Sequence, residues 1–200
     1  MKLSVIIPVF NEINTIGKII DEVESLKLNL EIEIIVVDDG STDGTREFLE
    51  RHRGIKKIFH KANQGKTAAI NSGLQQAGGD IIIIQDADLE YLPRENYPVL
   101  LKPLIKGWAD VVYGSRFLGI HRVFYFWHYF ANRFLTFLTN ILFDTMLSDM
   151  ETGAKAFKRR AIINEHFSSS GFGFEAEITA KILKKNAPIR STHYLLRPEL

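Results

Sequence analysis

Cysteine is absent from this 200-residue sequence. Its absence excludes disulfide bonds, thiolate metal sites and cysteine nucleophiles, and it fits a reducing compartment. An excess of one charge is also missing, because 25 lysines and arginines face 24 aspartates and glutamates and leave a net charge of +1. The sequence therefore gives no global electrostatic reason to bind nucleic acid, and we expect no nucleic-acid partner.

A secretory leader is not apparent, since residues 1–5 run directly into a strand-like segment without a cleavage pattern. The nearest candidate for a transmembrane span is the segment 123–143, which is long enough to cross a bilayer. Its polar residues are His128, Asn132, Arg133, Thr136, Thr139 and Asn140. An arginine at mid-membrane depth is costly, and these polar residues fall within about half of a helical circumference. We therefore predict an amphipathic helix over 123–143.

The other face of this predicted helix is rich in Phe, Tyr, Trp, Leu and Ile. Such a face either lies in a membrane interface or packs on the core of its own domain. The pattern alone does not separate these two interpretations.

The first half of the sequence alternates strand signals with helix signals. The strand-like runs are 3–9, 32–37, 55–60, 80–85 and 110–113. Apolar residues at helical spacing stand between them. Repeated β-α-β units with strands that are apolar on both faces predict an α/β fold with a Rossmann-like, mostly parallel sheet flanked by helices. No linker or internal repeat divides the chain, so we expect residues 1–200 to form a single domain.

Acidic residues follow two of the predicted strands. Asp38 and Asp39 come directly after residues 32–37, and Asp86 and Asp88 follow the run of isoleucines. Ligands of parallel α/β sheets bind outside the carboxyl ends of the strands, which is where both acidic turns lie. A carboxylate such as Asp39 can accept hydrogen bonds from ribose hydroxyls or a base N–H, or it can cap the following helix.

Asp86 and Asp88 are separated only by the small residue Ala87. Both carboxylates can reach one hard cation, and oxygen ligands in a turn suit Mg²⁺ or Mn²⁺. Glu90 stands two residues further on and can supply a third oxygen. An isolated Asp-x-Asp pair is more often a solvated turn or a helix cap, but the position of this pair at a strand end favours a metal site.

Two glycine patterns fail as phosphate loops. Residues 64–67 look like the end of a Walker loop, but His60 stands where its first glycine is required. Residues 171–176 have the spacing of a dinucleotide fingerprint but follow a serine-rich loop instead of a strand. Lys66 can still neutralise a phosphate or can be a solvated helix residue, and Arg116 can bind a phosphate through both arms of its guanidinium.

Several motifs occur together in an order that points to a known family. They are VIIPVFNE at 5–12, VVDDGSTD at 36–43, NQGK at 63–66, GD at 79–80, QDADLE at 85–90, VYGSRF at 112–117, and the segment from NR at 132–133 to DMETG at 149–153. With these motifs the chain resembles the inverting family 2 glycosyltransferases of GT-A fold. Among them it looks most like the polyprenyl-phosphate hexosyltransferases, which include the dolichyl-phosphate mannose and glucose synthases.

This resemblance implies a metal-dependent, inverting transfer of a hexose from GDP-mannose or UDP-glucose to a polyprenyl phosphate such as dolichyl phosphate. The cofactor would be Mg²⁺ or Mn²⁺, and the protein would lie peripherally on the cytoplasmic face of a membrane. Residues 1–117 would form the half that binds the nucleotide sugar, and residues 118–200 the half that binds the acceptor.

The resemblance also implies roles for individual residues. The nucleotide sugar would be bound by Pro8, Phe10, Glu12, Val37, Asp39, Lys66, Asp86, Ala87 and Asp88, and the metal by Asp86, Asp88 and Glu90. The catalytic residues would be Asp88, Arg116, Arg133 and Asp149, with the two arginines on the donor and acceptor phosphates. Asp149, Glu175 and Arg197 fall in matching motifs with less defined roles.

Three departures from the family pattern and three alternatives accompany this interpretation. The given sequence stops at residues 197–200, where the resemblance leads us to expect a basic, glycine-containing continuation that helps to cover the active site. Thr67 replaces a glycine that usually follows the lysine, and residues 153–154 are an unusual variant of their turn. One alternative is transfer to a saccharide hydroxyl, which would need Asp149 or Glu175 as a general base. Another is an inactive homologue that binds nucleotide without turnover. A nucleotidyltransferase is disfavoured, because residues 8–12 are neither glycine-rich nor basic.

Overall fold

The β-branched runs of the sequence form the strands of one sheet in the computed structural model, which describes residues 1–118, 125–169, 173–185 and 188–193. The strands are β1 (Lys2–Val9), β2 (Glu31–Asp38), β3 (Lys56–Phe59), β4 (Ile81–Ile84), β5 (Val111–Ser115), β6 (Lys155–Lys158) and β7 (Ile189–His193). The helices are α1 (Ile16–Glu24), α2 (Thr45–Arg51), α3 (Lys66–Gln76), α4 (Pro93–Ile105), α5 (Phe126–Phe143), α6 (Arg159–Ile162) and α7 (Gly173–Lys184).

The strand order is β3-β2-β1-β4-β6-β5-β7. All neighbouring strands pair in parallel except β6, which runs antiparallel to both β4 and β5. The expected α/β fold with a mostly parallel sheet is therefore confirmed. The sequence pattern does not predict the insertion of β6 between β4 and β5.

Both faces of the sheet are covered, because side chains alternate along each buried strand. Ile81 and Ile83 of β4 pack into the core on one side together with residues of α1 and α4. Ile82 and Ile84 pack into the core on the other side together with residues of α3 and α7. This two-sided burial explains why β4 is a continuous run of isoleucine and does not alternate with polar residues.

The register of the central strands brings the two acidic turns to one edge of the sheet. β1 pairs with β2 up to Val9 opposite Asp38, and β1 pairs with β4 up to Ile6 opposite Ile84. The loops that follow these three strands are therefore neighbours at their carboxyl ends. Gly40 is required in the loop after β2, because its φ is +83° and a Cβ there would lie 2.7 Å from the backbone of Ala62.

Candidate active site

A cavity of about 360 Å³ opens at the carboxyl ends of β1, β2 and β4. It is lined by Pro8, Val9, Phe10, Glu12, Asp39, Asn63, Lys66, Ala69, Asp86, Ala87 and Asp88. Eight of the nine residues expected to bind a nucleotide sugar are in this set. The ninth, Val37, is fully buried in the sheet, where it packs in the core on the α3 side.

Asp39 is a buried carboxylate that organises the start of α3. Its oxygens accept the backbone N–H groups of Gln64, at 3.0 and 3.1 Å, and of Gly65, at 2.7 Å. The Nδ1 of His60 lies 2.6 Å from Asp39 Oδ1, and its Nε2 lies 2.9 Å from Ser72 Oγ. A carboxylate at this position also stabilises the positive end of the helix dipole. Sequence reasoning missed His60, because it stands far from Asp39 along the chain and has no motif of its own.

Asp86 and Asp88 come together with Glu12 at the other side of the cavity. The pKa of Asp88 is raised, mainly by burial and further by the negative charges of Asp86 and Glu12. The backbone N–H of Glu90, at 3.1 Å from Asp88 Oδ1, acts in the opposite direction and lowers this pKa. Asp88 therefore lies near two other negative charges, whose repulsion a cation would relieve. Glu90, the third predicted metal ligand, does not line the cavity; the carboxylates that do are Glu12, Asp39, Asp86 and Asp88.

The donor set suits a hard divalent cation. Within the described ranges, no three carboxylates or imidazoles lie close enough to hold an ion between them. Mg²⁺ and Mn²⁺ are commonly held by one or two carboxylates together with water and substrate phosphates. The pair Asp86 and Asp88 meets that requirement.

Gly153 packs closely against the side chain of Asp86. A Cβ on Gly153 would lie 2.8 Å from Asp86 Oδ2 and 3.1 Å from the ring of Tyr91. No side chain larger than hydrogen fits there unless Asp86 moves. The unusual turn noted at 153–154 therefore packs directly on a predicted metal ligand.

Lys66 links this cavity to the second half of the chain. Its Nζ lies 2.6 Å from Asp86 Oδ1 and 3.8 Å from Glu175 Oε1 on α7. Glu175 Oε2 in turn pairs with Lys155 Nζ, which also contacts Thr152 O. Lys155 is only 1% exposed and its Nζ lies 4.8 Å from the centroid of the Tyr113 ring. Neither Lys155 nor its pairing with Glu175 was predicted, because the partners come from separate elements.

Asp149 is bound on all sides and has no exposed side-chain surface. Its Oδ2 accepts Arg116 Nε–H at 2.8 Å and the Arg116 backbone N–H at 3.1 Å, while its Oδ1 accepts Arg116 Nη2–H at 2.9 Å. Asn132 of α5 donates to the same Oδ1 at 3.2 Å. This geometry makes Asp149 an anchor for Arg116 and α5, since a proton acceptor for a substrate needs an accessible oxygen.

Arg133 is the cation on α5 that remains exposed. Its Nη1 donates to the carbonyl oxygen of Ser148 at 3.2 Å, and its guanidinium carbon lies 5.6 Å from the centroid of the Phe117 ring. Among the described residues it forms no ion pair with a carboxylate. Its charge is therefore available to an anionic ligand. Arg197, the other basic residue of a matching motif, lies outside the described residues.

The structure shows which face of the predicted amphipathic helix is buried against the described part of the domain. α5 begins at Phe126; residues 123–124 of the predicted helix lie outside the described residues. The buried residues of α5 are the polar Asn132 and Thr136, whereas Phe126 is 67% and Trp127 73% exposed. The aromatic face therefore points away from the core of its own domain. None of the helices in the described ranges combines the length and the apolar character needed to cross a membrane.

Comparison with known proteins extends this picture. The chain is 36% identical over 121 residues to a dolichol-phosphate mannosyltransferase of Pyrococcus furiosus, covering 59% of this chain and 34% of the relative. It is 39% identical over 122 residues to an undecaprenyl-phosphate 4-deoxy-4-formamido-L-arabinose transferase of Proteus mirabilis, covering 58% of this chain and 36% of the relative. The matched part thus spans about a third of the length of these curated relatives.

A solved structure and a family model agree with that similarity. Glucosyl-3-phosphoglycerate synthase of Mycobacterium tuberculosis, crystallised with Mn²⁺, UDP and phosphoglyceric acid, superposes with a TM-score of 0.72 at 22% identity. The superposition covers 100% of this chain and 72% of that one, so the two share the GT-A fold. The model of glycosyl transferase family 2 matches residues 4–166. This chain therefore belongs to glycosyl transferase family 2.

Proposed function

We propose that this protein transfers a hexose, with inversion, from a nucleotide sugar to a polyprenyl phosphate, and that Mg²⁺ or Mn²⁺ assists the transfer. GDP-mannose and UDP-glucose are the proposed donors, and residues 1–117 and 118–200 the donor and acceptor halves. The observation that carries the proposal is the pairing in the acceptor half: Asp149 is buried against Arg116, while Arg133 is exposed beside an apolar helix face. The names of the two curated relatives, a dolichol-phosphate and an undecaprenyl-phosphate transferase, support it.

The donor is assigned to the cavity at the strand ends. Asp86 and Asp88 would hold the divalent ion, with Glu12 adding negative charge on the same wall. When bound, the ion supplies positive charge to the departing nucleoside diphosphate. Asp39 fixes the loop at the start of α3, so that the backbone around the nucleoside is held in place before binding. The Mn²⁺ and UDP of the mycobacterial synthase structure support this choice of ligands.

The proposed acceptor, a lipid phosphate, needs no general base. A phosphate monoester is already ionised at neutral pH, so its oxygen attacks without a general base, whereas a sugar hydroxyl needs one. Asp149 has no accessible oxygen, and Glu175 is engaged by Lys155 and Lys66. Catalysis then consists of holding the phosphate oxygen in line with the anomeric carbon, and we assign that role to Arg133. The two carboxylates expected to serve as a base for a saccharide hydroxyl are thus both paired with cations.

The exposed aromatic face of α5 supports a lipid as the acceptor. Tyr125 is 84% exposed and Leu142 74% exposed, so apolar surface extends along the whole helix. An amphipathic helix with Trp and Phe on one face lies in the interface of a bilayer. The docked face would then bring Arg133 to the level of lipid phosphates. We therefore place the protein peripherally on a membrane, on the cytoplasmic side that the sequence resemblance implies.

A transfer assay tests the proposal. Radiolabelled GDP-mannose and UDP-glucose are each incubated with a polyprenyl phosphate in detergent, with Mn²⁺ or with chelator. We expect lipid-dependent, chelator-sensitive transfer that Asp88→Asn abolishes, because one proposed metal ligand is lost. Asp21→Asn, on the exposed side of α1, is the matched control and should retain activity. Transfer to soluble glycans without lipid phosphate, or nucleotide binding with no transfer from either donor, would overturn it.

A further inference from the structure

Lys66 pairs with the carboxylate of Asp86, which is also a proposed ligand of the metal. Its Nζ lies 2.6 Å from Asp86 Oδ1, within charge-assisted hydrogen-bond distance. As a lysine paired with a carboxylate, Lys66 is an ammonium cation at neutral pH. A divalent ion that approaches Asp86 therefore meets a positive charge that is already there.

A second partner for Lys66 is held ready nearby. Glu175 Oε1 lies 3.8 Å from Lys66 Nζ, so a movement of about 1 Å converts this contact into a hydrogen bond. Glu175 itself is fixed, because its Oε2 pairs with Lys155. Lys155 cannot move away, since it is buried against the Tyr113 ring and contacts Thr152 O. The rotation of one half-buried lysine side chain is thus enough to release Asp86.

The side chains around Lys66 carry more negative than positive charge. The cavity is lined by four carboxylates, Glu12, Asp39, Asp86 and Asp88, and Glu175 is a fifth, while Lys66 and Lys155 are the ammonium groups paired with members of this cluster. A divalent cation would reduce this excess of negative charge. Without the Lys66 ammonium, the excess would be larger by one charge and would attract a cation more strongly.

We infer that Lys66 is a displaceable counter-ion: it neutralises Asp86 while the metal is absent, and it turns to Glu175 and the donor diphosphate when the metal binds. The inference rests on the proposed metal site at Asp86 and Asp88. It assigns two opposite effects to Lys66. Without nucleotide, Lys66 competes with the metal for Asp86 and weakens metal binding. With the metal bound, Lys66 contacts the diphosphate and strengthens diphosphate binding. A purely structural lysine would change both affinities in the same direction or neither.

The experiment measures both affinities in Lys66→Met. Mn²⁺ binding without nucleotide is followed by electron paramagnetic resonance of the free ion, and GDP or UDP binding is then measured at saturating Mn²⁺. We expect Lys66→Met to bind Mn²⁺ alone about tenfold more tightly and the diphosphate about tenfold more weakly than the unaltered protein. Lys66→Arg keeps the charge and should keep both wild-type affinities within a few-fold. Lys61→Met removes the same charge from an exposed site outside the cavity and should change neither.

Each outcome decides the inference. Unchanged or weaker Mn²⁺ binding by Lys66→Met overturns it, even if the transfer reaction itself is found. Tighter Mn²⁺ binding without a loss of diphosphate affinity also overturns it, because Lys66 then only competes. If the Asp88→Asn variant binds Mn²⁺ as tightly as the unaltered protein, the proposed metal site is wrong. The proposed counter-ion role of Lys66 is then wrong as well. Lipid-dependent transfer measured on the same preparations separates failure of the metal site from failure of the acceptor assignment.

Discussion

Trp127 on α5 offers the sharpest test of membrane docking. The sequence contains two tryptophans, Trp108 and Trp127. Trp127 is 73% exposed on the aromatic face, and Trp108 is 49% exposed after α4, where Lys106 Nζ lies 4.8 Å from its ring. Trp127→Ser removes apolar surface from the proposed docking face, and Trp108→Ser removes a chemically identical side chain from elsewhere.

The expected magnitude follows from the exposed area of Trp127. An aromatic side chain of about 250 Å² that is 73% exposed presents about 180 Å² to solvent. At about 25 cal/mol per Å², complete transfer of that area is worth about 4.5 kcal/mol. A ring lying in the interface buries roughly half of it. Trp127→Ser should therefore cost about 2 kcal/mol of binding free energy, or roughly 30-fold in vesicle partitioning.

The assay is co-sedimentation with liposomes that contain polyprenyl phosphate, supported by tryptophan fluorescence. With Trp127 as the sole tryptophan, in Trp108→Phe, adding vesicles should shift the emission to the blue. With Trp108 as the sole tryptophan, in Trp127→Phe, the emission should stay unchanged. Equal losses of partitioning in the two serine variants, or wild-type protein that stays in the supernatant, would refute the docking of this face.

Three further variants test individual contacts. Gly153→Ala should push Asp86 away from its position, because the new Cβ would lie 2.8 Å from Oδ2, and we expect Mn²⁺ affinity to fall by roughly tenfold in a calorimetric titration. Arg116→Met leaves the buried carboxylate of Asp149 without its main partner and should lower the free energy of unfolding in urea by about 3–5 kcal/mol; a change under 1 kcal/mol would contradict the assigned pairing. Burial raises the pKa of Glu33, but its hydrogen-bonding neighbours outweigh burial and lower it from 4.5 to about 2. At pH values above its unfolded pKa, this carboxylate therefore stabilises the fold by about 3 kcal/mol, and it loses that contribution as the pH falls toward 2. In Glu33→Gln the free energy of unfolding should fall less steeply as the pH is lowered. An unaltered slope would argue against this linkage.

Strand positions and the edge that carries the cavity could be predicted because they follow from local patterns. Four consecutive isoleucines can be accommodated only where both faces of a strand are buried. Parallel pairing then places Asp86 and Asp39 at the same edge, whichever helices cover the sheet. Neither statement depends on a distant partner, and the structure agrees with both.

Contacts between distant elements could not be predicted in this way. Lys155 in the KAFK strand looks like a solvated lysine, and its partners Glu175 and Tyr113 come from α7 and β5. The strand order around β6 likewise depends on pairing with both β4 and β5. For α5, the sequence predicts two faces but not their direction, because an apolar face is compatible with a core or with lipid. The direction is shown only by the packing of Asn132 and Thr136, whose partners lie outside α5.

The antiparallel strand β6 also fixes the order in which the sheet can be completed during synthesis. β4 and β5 do not pair with each other; each pairs with β6, which follows α5 in the chain. About seventy residues separate Ile84 from Lys155, so at about 5–20 residues per second the isoleucine edge of β4 waits several seconds for its partner. An unpaired apolar edge is a template for aggregation. Because α5 is synthesised during that interval, the membrane docking proposed above predicts a higher folding yield for a nascent chain that meets lipid vesicles early than for one released into bulk solution.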